Sequence, residues 1–164
     1  MSRPLKLALV AVSFAVAGVL SELLMGTPIT KTPLESAPAV LPFAILAVAL
    51  CTRPVWMTPI TACLHCAAWS GALWTAIALD SRVPQVNMYI AGMVGGLGVV
   101  VASMIGCRKL MHIRPVLWMG AVGAIAAAPF QMPLFMQGPD SSMIWPFAIW
   151  QAAVGTMLYA FSGR

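Results

Sequence analysis

Two thiols and an imidazole lie close together in the stretch TACLHCAAW, at Cys63, His65 and Cys66. These residue types bind transition metals, and paired thiols also carry redox chemistry. On a regular helix Cys63 and Cys66 share a face, whereas His65 points about 200° away from Cys63 at about 100° per residue. The three side chains therefore cannot converge on one ion, and the pattern favours packing cysteines over a zinc site.

A copper(I) site is an alternative, because thioethers bind Cu(I) as thiols do. Met132 and Met136 form an MxxxM pair, with Met143 a few residues later. This pair resembles the outer MxxxM motif of eukaryotic copper importers, which implies a route for copper from Met132 and Met136 to Cys63 and Cys66. The CxxC spacing is also similar to that of quinone-linked thiol oxidases. No cofactor is expected, and copper is the alternative that goes with the resemblance to copper importers.

The composition requires lipid as the solvent for most of the chain. Hydrophobic residues make up 61% and charged residues 8% of the 164 positions, against about 45–50% and about 25% in soluble domains. The net charge of +5 comes from Lys and Arg residues that are scattered along the chain, with no basic run interleaved with aromatics. The expected partner is therefore the lipid bilayer and not a nucleic acid.

Six apolar stretches approach the length of about 20 residues that a hydrocarbon core requires. They are Leu5–Met25, Ala37–Thr52, Val55–Leu79, Val86–Cys107, Pro115–Phe135 and Met143–Phe161. The second is the shortest, so we expect it to be tilted or to lie where the bilayer thins. The predicted fold is an all-α integral membrane protein, a compact bundle of about six transmembrane helices that forms one domain over residues 1–164.

The charged residues predict the orientation of this bundle. With the N-terminus inside, the inner segments hold only basic residues, namely Arg3, Lys6, Arg53, Arg108, Lys109, Arg114 and Arg164. The outer segments hold two basic residues and every acid, namely Lys31, Arg82, Glu22, Glu35, Asp80 and Asp140. An excess of Lys and Arg marks the cytoplasmic side. We therefore expect a bacterial inner-membrane protein with both termini in the cytoplasm.

Close helix packing is predicted at the fourth span, where AGMVGGLG contains Gly92, Gly95, Gly96 and Gly98. Small residues let helix backbones approach in a membrane, where apolar burial between helices gives no advantage over lipid. The neighbouring helix belongs either to the same chain or to another one. Both a homo-oligomer and a complex with partner membrane subunits are therefore open.

Polar and aromatic residues at membrane depth are the candidates for a substrate pathway. They are His65, Trp69, Gln131, Glu22 and Gln151. Ionisable residues in spans are costly in lipid and indicate function by default. Pro129 and Pro133, on either side of Gln131, predict a kink or break in the fifth helix, where freed carbonyls are tolerated beside a cavity. The structural alternatives are a hydrogen-bonded neutral imidazole at His65 and an interfacial acid at Glu22.

The leading functional hypothesis is a small multi-pass transport- or channel-type membrane protein of unknown substrate, acting as an oligomer. The alternatives are a non-catalytic accessory subunit of a larger membrane complex, and a membrane protein that handles Cu(I) or thiol redox. The sequence contains no Ser–His–acid set, no paired acids on one helix and no phosphate-binding loop. It therefore gives no indication of an enzyme.

Overall fold

The computed structural model describes residues 2–25, 37–51, 57–132 and 143–163, and these residues form helices without any strand. The six α-helices are α1 (Arg3–Met25), α2 (Leu41–Cys51), α3 (Thr58–Asp80), α4 (Asn87–Met104), α5 (Ile113–Ala126) and α6 (Ile144–Ser162). Three short 3-10 segments accompany them, at Ala37–Val40, Arg108–Leu110 and Ala128–Gln131. This confirms the prediction of an all-helical chain.

Prolines begin several of these helices. Pro4, Pro59, Pro115 and Pro146 lie in the first turns of α1, α3, α5 and α6, where a missing N–H costs no intrahelical hydrogen bond. At the other end of α6, Gly163 adopts a left-handed φ of 73°. Glycine tolerates this conformation and so ends the helix.

Within the described residues, five helical segments are long and apolar enough to cross a membrane: Arg3–Met25, Thr58–Asp80, Asn87–Met104, Ile113–Gln131 and Ile144–Ser162. The chain therefore contains apolar helices of membrane-span length, as predicted. The predicted second span, Ala37–Thr52, is the exception.

The second span consists of a 3-10 segment followed by α2, which has 11 residues. Because Pro42 has no N–H to continue the preceding 3-10 segment, the α-helix begins at Leu41. At 1.5 Å per residue α2 is about 16 Å long, well below the core thickness of about 30 Å.

The predicted fifth span, Pro115–Phe135, is also interrupted. Helix α5 ends at Ala126, and Pro129 lies in the following 3-10 segment. Proline at this position cannot donate to the carbonyl of Ile125, and its ring would clash with that carbonyl in a continuous α-helix. The predicted break at Pro129 is confirmed, whereas Pro133 lies outside the described residues.

The helices form a closed ring in the order α1, α6, α5, α4, α3, α2, with α2 returning to α1. Glycines permit the closest contact between the first and last helices, because Gly18 lies against the backbone of Ala148 and Gly155 lies against the ring of Phe14. Phe14, Phe43, Met119 and Leu158 fill the interior. Large apolar side chains such as Leu5, Leu9, Val12 and Val16 cover the outside of α1.

The charged residues are distributed unequally between the two ends of the helix ring. Successive helices alternate in direction, so the start of α1, the end of α4, the start of α5 and the end of α6 meet at one end. The described basic residues there are Arg3, Lys6, Arg108, Lys109 and Arg114, and we call this the basic end. The opposite end carries Glu22, Asp80 and Arg82. The other charged residues used in the orientation prediction lie outside the described residues.

Candidate functional site

A cavity of about 370 Å³ lies at the end opposite the basic end. Its lining residues come from α1, α3, α4, the region from Ala127 to Phe130, and α6. They are Glu22, Met25, Trp69, Ala72, Leu73, Ala76, Met88, Ala91, Gly92, Ala127, Phe130, Met143, Phe147 and Trp150. The volume falls in the range of about 300–1,000 Å³ that holds small organic ligands.

The cavity extends from the helix ends toward the middle of the bundle. Glu22, Met88 and Met143 lie at or near helix ends and keep partly exposed side chains, so they form the rim. Trp69 lies about 16 Å along α3 from its end, and Trp150 about 9 Å along α6 from its start, at 1.5 Å per residue. The indole rings of Trp69 and Trp150 therefore line the deepest part of the cavity, well inside the bundle.

Aromatic rings form one continuous wall of the cavity. Trp69 contacts Phe147 with ring centroids 5.0 Å apart, and Trp150 edge-on at 6.4 Å. Phe130 packs edge-on against Phe147 at 5.4 Å. Tilted and edge-to-face contacts at such distances are the favoured geometries of aromatic pairs. The four rings therefore support one another and are held in place without a ligand.

The indole N–H groups of this wall differ in their partners. Trp150 donates its Nε1–H to the carbonyl oxygen of Gly123 at 3.1 Å. Because α5 ends at Ala126, the N–H of Ala127 bonds to Ala124 O at 3.1 Å, which leaves Gly123 O available. The buried Nε1–H of Trp69, in contrast, has no hydrogen-bond partner among the described residues.

The cavity has one carboxylate at its rim, that of Glu22. Its Oε1 accepts a hydrogen bond from the backbone N–H of Met143 at 3.2 Å. Met143 occupies the N-cap position of α6. The start of a helix stabilises negative charge through its exposed N–H groups. Among the described lining residues Glu22 is the only one with an ionisable carboxyl or amine. The one charged side chain that the described lining residues contribute is therefore negative.

Glycines on α4 allow neighbouring helices to pack closely beside the cavity. A Cβ on Gly92 would overlap Gly123 O, and one on Gly96 would overlap Met119 O. A Cβ on Gly95 would lie 2.9 Å from the Trp150 ring, and one on Gly98 would meet Ala68 on α3 at 2.5 Å. The predicted packing glycines thus contact α3, α5 and α6 of the same chain, and Gly92 also lines the cavity.

His65 lies beneath the cavity and not in its wall. The imidazole is 1% exposed, with Nδ1 2.7 Å from Thr61 O and Nε2 3.2 Å from Ser103 Oγ. A carbonyl can only accept, so Nδ1 carries the proton and donates to Thr61 O. In the neutral ring Nε2 then accepts from the Ser103 hydroxyl. Both nitrogens are satisfied, which is the structural alternative foreseen for this residue.

Aromatic side chains pack next to His65. The ring of Phe43 lies 6.0 Å from the His65 ring and 6.2 Å from the Trp150 ring, between centroids. Phe14 packs on the other side of Phe43 at 5.1 Å. Phe14 and Phe43 are both fully buried. His65 is therefore next to Phe43, which contacts the cavity residue Trp150, and is itself absent from the lining.

Gln131 ties the broken end of α5 to the α3–α4 connection. Its Nε2 donates to Pro84 O at 3.1 Å and also to Asn87 Oδ1. Asn87 in turn donates to Asp80 Oδ1 at 3.0 Å. The amide group of Gln131 is thus used in a polar network at the helix ends, and the residue does not line the cavity.

Gln151 belongs to the contact between α1 and α6. It is fully buried and donates through Nε2 to Ser21 Oγ at 2.9 Å, while its Oε1 has no partner among the described residues. Ser21 precedes Glu22 in sequence. Gln151 therefore lies near the carboxylate along the chain but is absent from the cavity lining.

Cys63, Cys66 and Met132 do not line the cavity. Cys63 is exposed and Cys66 is partly buried. Met132 is 47% exposed, and Met136 lies outside the described residues. No group of three or more His, Cys, Asp or Glu side chains placed to hold a metal ion occurs in the part of the chain that the structure describes.

Of the five predicted pathway residues, the structure brings Trp69 and Glu22 together at the cavity. It places His65, Gln131 and Gln151 in hydrogen-bonded positions elsewhere. Phe130, Phe147, Met88 and Met143 line the cavity without having been predicted to do so. The sequence does contain a signal for two of them: Phe130 and Phe147 are aromatic residues that each directly follow a proline at a helix end.

No protein-family model, curated protein or solved structure matches this chain. Evidence about function therefore comes from the chemistry of the site itself.

Proposed function

We propose that this chain is a small multi-pass membrane protein of the transport type, and that the cavity is where it binds its substrate. The observation that carries this proposal is the meeting of five helical segments around one space of about 370 Å³. Helix packing in membranes normally closes such spaces, because association depends on close contact between helices. A cavity that large within so small a bundle is expected where a solute binds.

The broken fifth helix supports the same proposal. Ala127 and Phe130, on either side of Pro129, both line the cavity. Interrupted helices at membrane depth are tolerated where they line a cavity, and in secondary transporters they form the binding site. The Gly123 carbonyl next to this break is hydrogen-bonded by Trp150, so the break is stabilised within the protein.

We also propose that all six apolar segments, including the short α2, are embedded in a bacterial inner membrane with both termini in the cytoplasm. The clustering of Arg3, Lys6, Arg108, Lys109 and Arg114 at one end supports this orientation, because basic residues are retained on the cytoplasmic side. In this orientation the cavity faces the periplasm. Association into a homo-oligomer would enlarge what is otherwise a slender bundle.

The test is solute flux into proteoliposomes that contain the purified chain alone. Three aromatic solutes of similar size and different charge serve as probes: benzyltrimethylammonium, benzenesulfonate and phenylalanine. The blocking variant is Ala76→Leu, which adds volume at a buried lining residue, and its matched control is Ala78→Leu at an exposed position on the same helix.

Transport by the chain predicts that at least one probe enters faster than into protein-free liposomes. The Ala76→Leu variant should abolish this flux and the Ala78→Leu variant should preserve it. If no probe enters, the transport proposal is wrong. Co-purification of the chain from its membrane with a stoichiometric partner would then favour the accessory role.

A further inference from the structure

We infer that the ligand of this cavity is a hydrophobic organic cation, for which Glu22 supplies the counter-charge and the ring wall supplies cation–π contacts. This inference rests on the proposed function, because it names the substrate class of the same cavity. It is carried by three features of the lining: one carboxylate, four aromatic rings, and an apolar remainder.

The charged residues of the lining indicate the sign of the ligand's charge. Glu22 is the one carboxylate among the described lining residues, and none of them is Lys, Arg or His. Arg82 at the same end is exposed and does not line the cavity. A charged group in surroundings of low dielectric needs an opposite charge nearby. Glu22 provides this opposite charge for a cation, whereas it would repel an anion.

The aromatic wall selects the kind of cation. Three ring contacts, Trp69–Phe147, Trp69–Trp150 and Phe130–Phe147, have centroid distances of 5.0 to 6.4 Å and join the four rings in a connected cluster. A cation above an aromatic face is attracted by the ring quadrupole, most strongly with Trp, and cages of this kind recognise quaternary ammonium groups. A small hydrated metal ion would gain little, because rings cannot replace its oxygen ligands.

The remaining lining describes the body of the ligand. Met25, Met88 and Met143 stand at the rim, and Ala72, Ala76 and Ala91 stand on the wall. Methionine adapts its shape to irregular apolar surfaces and also contacts aromatic rings. These residues fit a hydrocarbon or aromatic body and offer little to a sugar or another densely hydroxylated solute.

The position of Glu22 keeps its charge at the cavity. Its hydrogen bond from the Met143 N–H fixes the carboxylate between α1 and α6. A carboxylate has about four acceptor positions on its two oxygens, so this bond leaves capacity for a ligand. The charge is thus held at the rim by the fold before any ligand arrives.

The test measures binding of radiolabelled benzyltrimethylammonium to the full chain in lipid nanodiscs, against empty nanodiscs. Choline and 3,3-dimethylbutanol compete, because they have the same shape and differ in having a cationic nitrogen or a neutral carbon. Glu22→Gln removes the charge and keeps an acceptor for Met143, and Asp80→Asn is its matched control outside the cavity. Trp69→Leu removes a ring, and Trp74→Leu does so at a position that is 55% exposed.

The inference predicts that choline competes roughly tenfold better than 3,3-dimethylbutanol, which corresponds to about 1.4 kcal/mol. Glu22→Gln and Trp69→Leu should each weaken benzyltrimethylammonium binding roughly tenfold, whereas Asp80→Asn and Trp74→Leu should leave it unchanged. If Glu22→Gln does not fold, two other comparisons still test the inference: competition by choline against 3,3-dimethylbutanol, and binding by Trp69→Leu against Trp74→Leu.

Two outcomes overturn the inference and separate it from the proposed function. Equal competition by choline and 3,3-dimethylbutanol would show a cavity that binds without regard to charge, which leaves transport intact and rejects the cation. Absence of benzyltrimethylammonium binding also rejects the cation. If benzenesulfonate or phenylalanine then crosses proteoliposomes in an Ala76-dependent way, transport stands with another substrate class. If neither crosses, both proposals are wrong.

Discussion

Glu22 near the end of α1 accepts a hydrogen bond from the backbone N–H of Met143, the residue that caps the start of α6, at 3.2 Å. The contact joins residues 121 positions apart in the chain. It connects the carboxylate at the cavity rim to the helix that carries Phe147 and Trp150. The same side chain therefore has a structural partner and, in our proposal, a ligand.

Substitutions at Glu22 separate these two roles. Glu22→Ala removes the acceptor for the Met143 N–H and should lower the free energy of unfolding by about 1 kcal/mol, the usual cost of losing a helix cap. Glu22→Gln keeps an acceptor, so its stability should stay within about 0.5 kcal/mol of the original. Unfolding by SDS titration in mixed micelles measures both. Equal losses in the two variants would contradict the capping role.

The two cavity tryptophans should respond differently to the same substitution. Trp150→Phe removes the donor to Gly123 O and should destabilise by about 1–3 kcal/mol, because a buried carbonyl loses its partner. Trp69→Phe removes a buried N–H that has no partner among the described residues, so its cost should be smaller by about 1 kcal/mol. Thermal unfolding in detergent compares them. A larger loss for Trp69→Phe would contradict the hydrogen bonding described here.

The contact between α4 and α5 depends on the absence of a side chain at Gly96. A Cβ there would overlap the carbonyl oxygen of Met119, so Gly96→Ala should push the helices apart and cost about 1–3 kcal/mol. Gly71 on α3 is the matched control, because a Cβ there would meet nothing within 4 Å. Gly71→Ala should be neutral or stabilise by about 0.5–1 kcal/mol, since alanine favours a helix. Unfolding measurements on both variants provide the test.

The hydrogen bonds of His65 predict a single neutral tautomer with its proton on Nδ1. Nitrogen-15 NMR of histidine-labelled protein should show a protonated Nδ1 and an unprotonated Nε2 at neutral pH. Ser103→Ala removes the donor to Nε2 and should lower the free energy of unfolding by about 1 kcal/mol. Benzyltrimethylammonium binding should not change, because neither His65 nor Ser103 lines the cavity. An Nε2–H tautomer would contradict this account.

Much of the fold could be predicted from composition and local chemistry. Apolar stretches of span length identify most of the helices, and Pro129 predicts the break after α5 because no α-helix tolerates a proline there without losing a bond. Gly92, Gly95, Gly96 and Gly98 identify α4 as the most closely packed helix. Length alone marked the second span as unusual, and Pro42 explains why its α-helix begins as late as Leu41.

The cavity could be predicted only in part, for a physical reason. In a soluble helix the polar face indicates which side is exposed, but lipid and protein interior are both apolar, so no such contrast exists along α3 or α6. Trp69 and Trp74 therefore look alike in sequence, although Trp69 lines the cavity and Trp74 is 55% exposed. Polar character alone selected His65 and Gln131, whose hydrogen bonds are satisfied within the fold.

The most direct test of the central claim, that a ligand occupies the cavity, is protection of an introduced thiol. Met88→Cys at the rim and Tyr89→Cys on the outside of α4 are made in a background whose four cysteines are replaced by alanine. Each is labelled with a small methanethiosulfonate reagent, with and without saturating benzyltrimethylammonium. The account predicts that the ligand slows labelling of Met88→Cys roughly tenfold and leaves Tyr89→Cys unchanged. Labelling of Met88→Cys at the same rate with and without the ligand would contradict it.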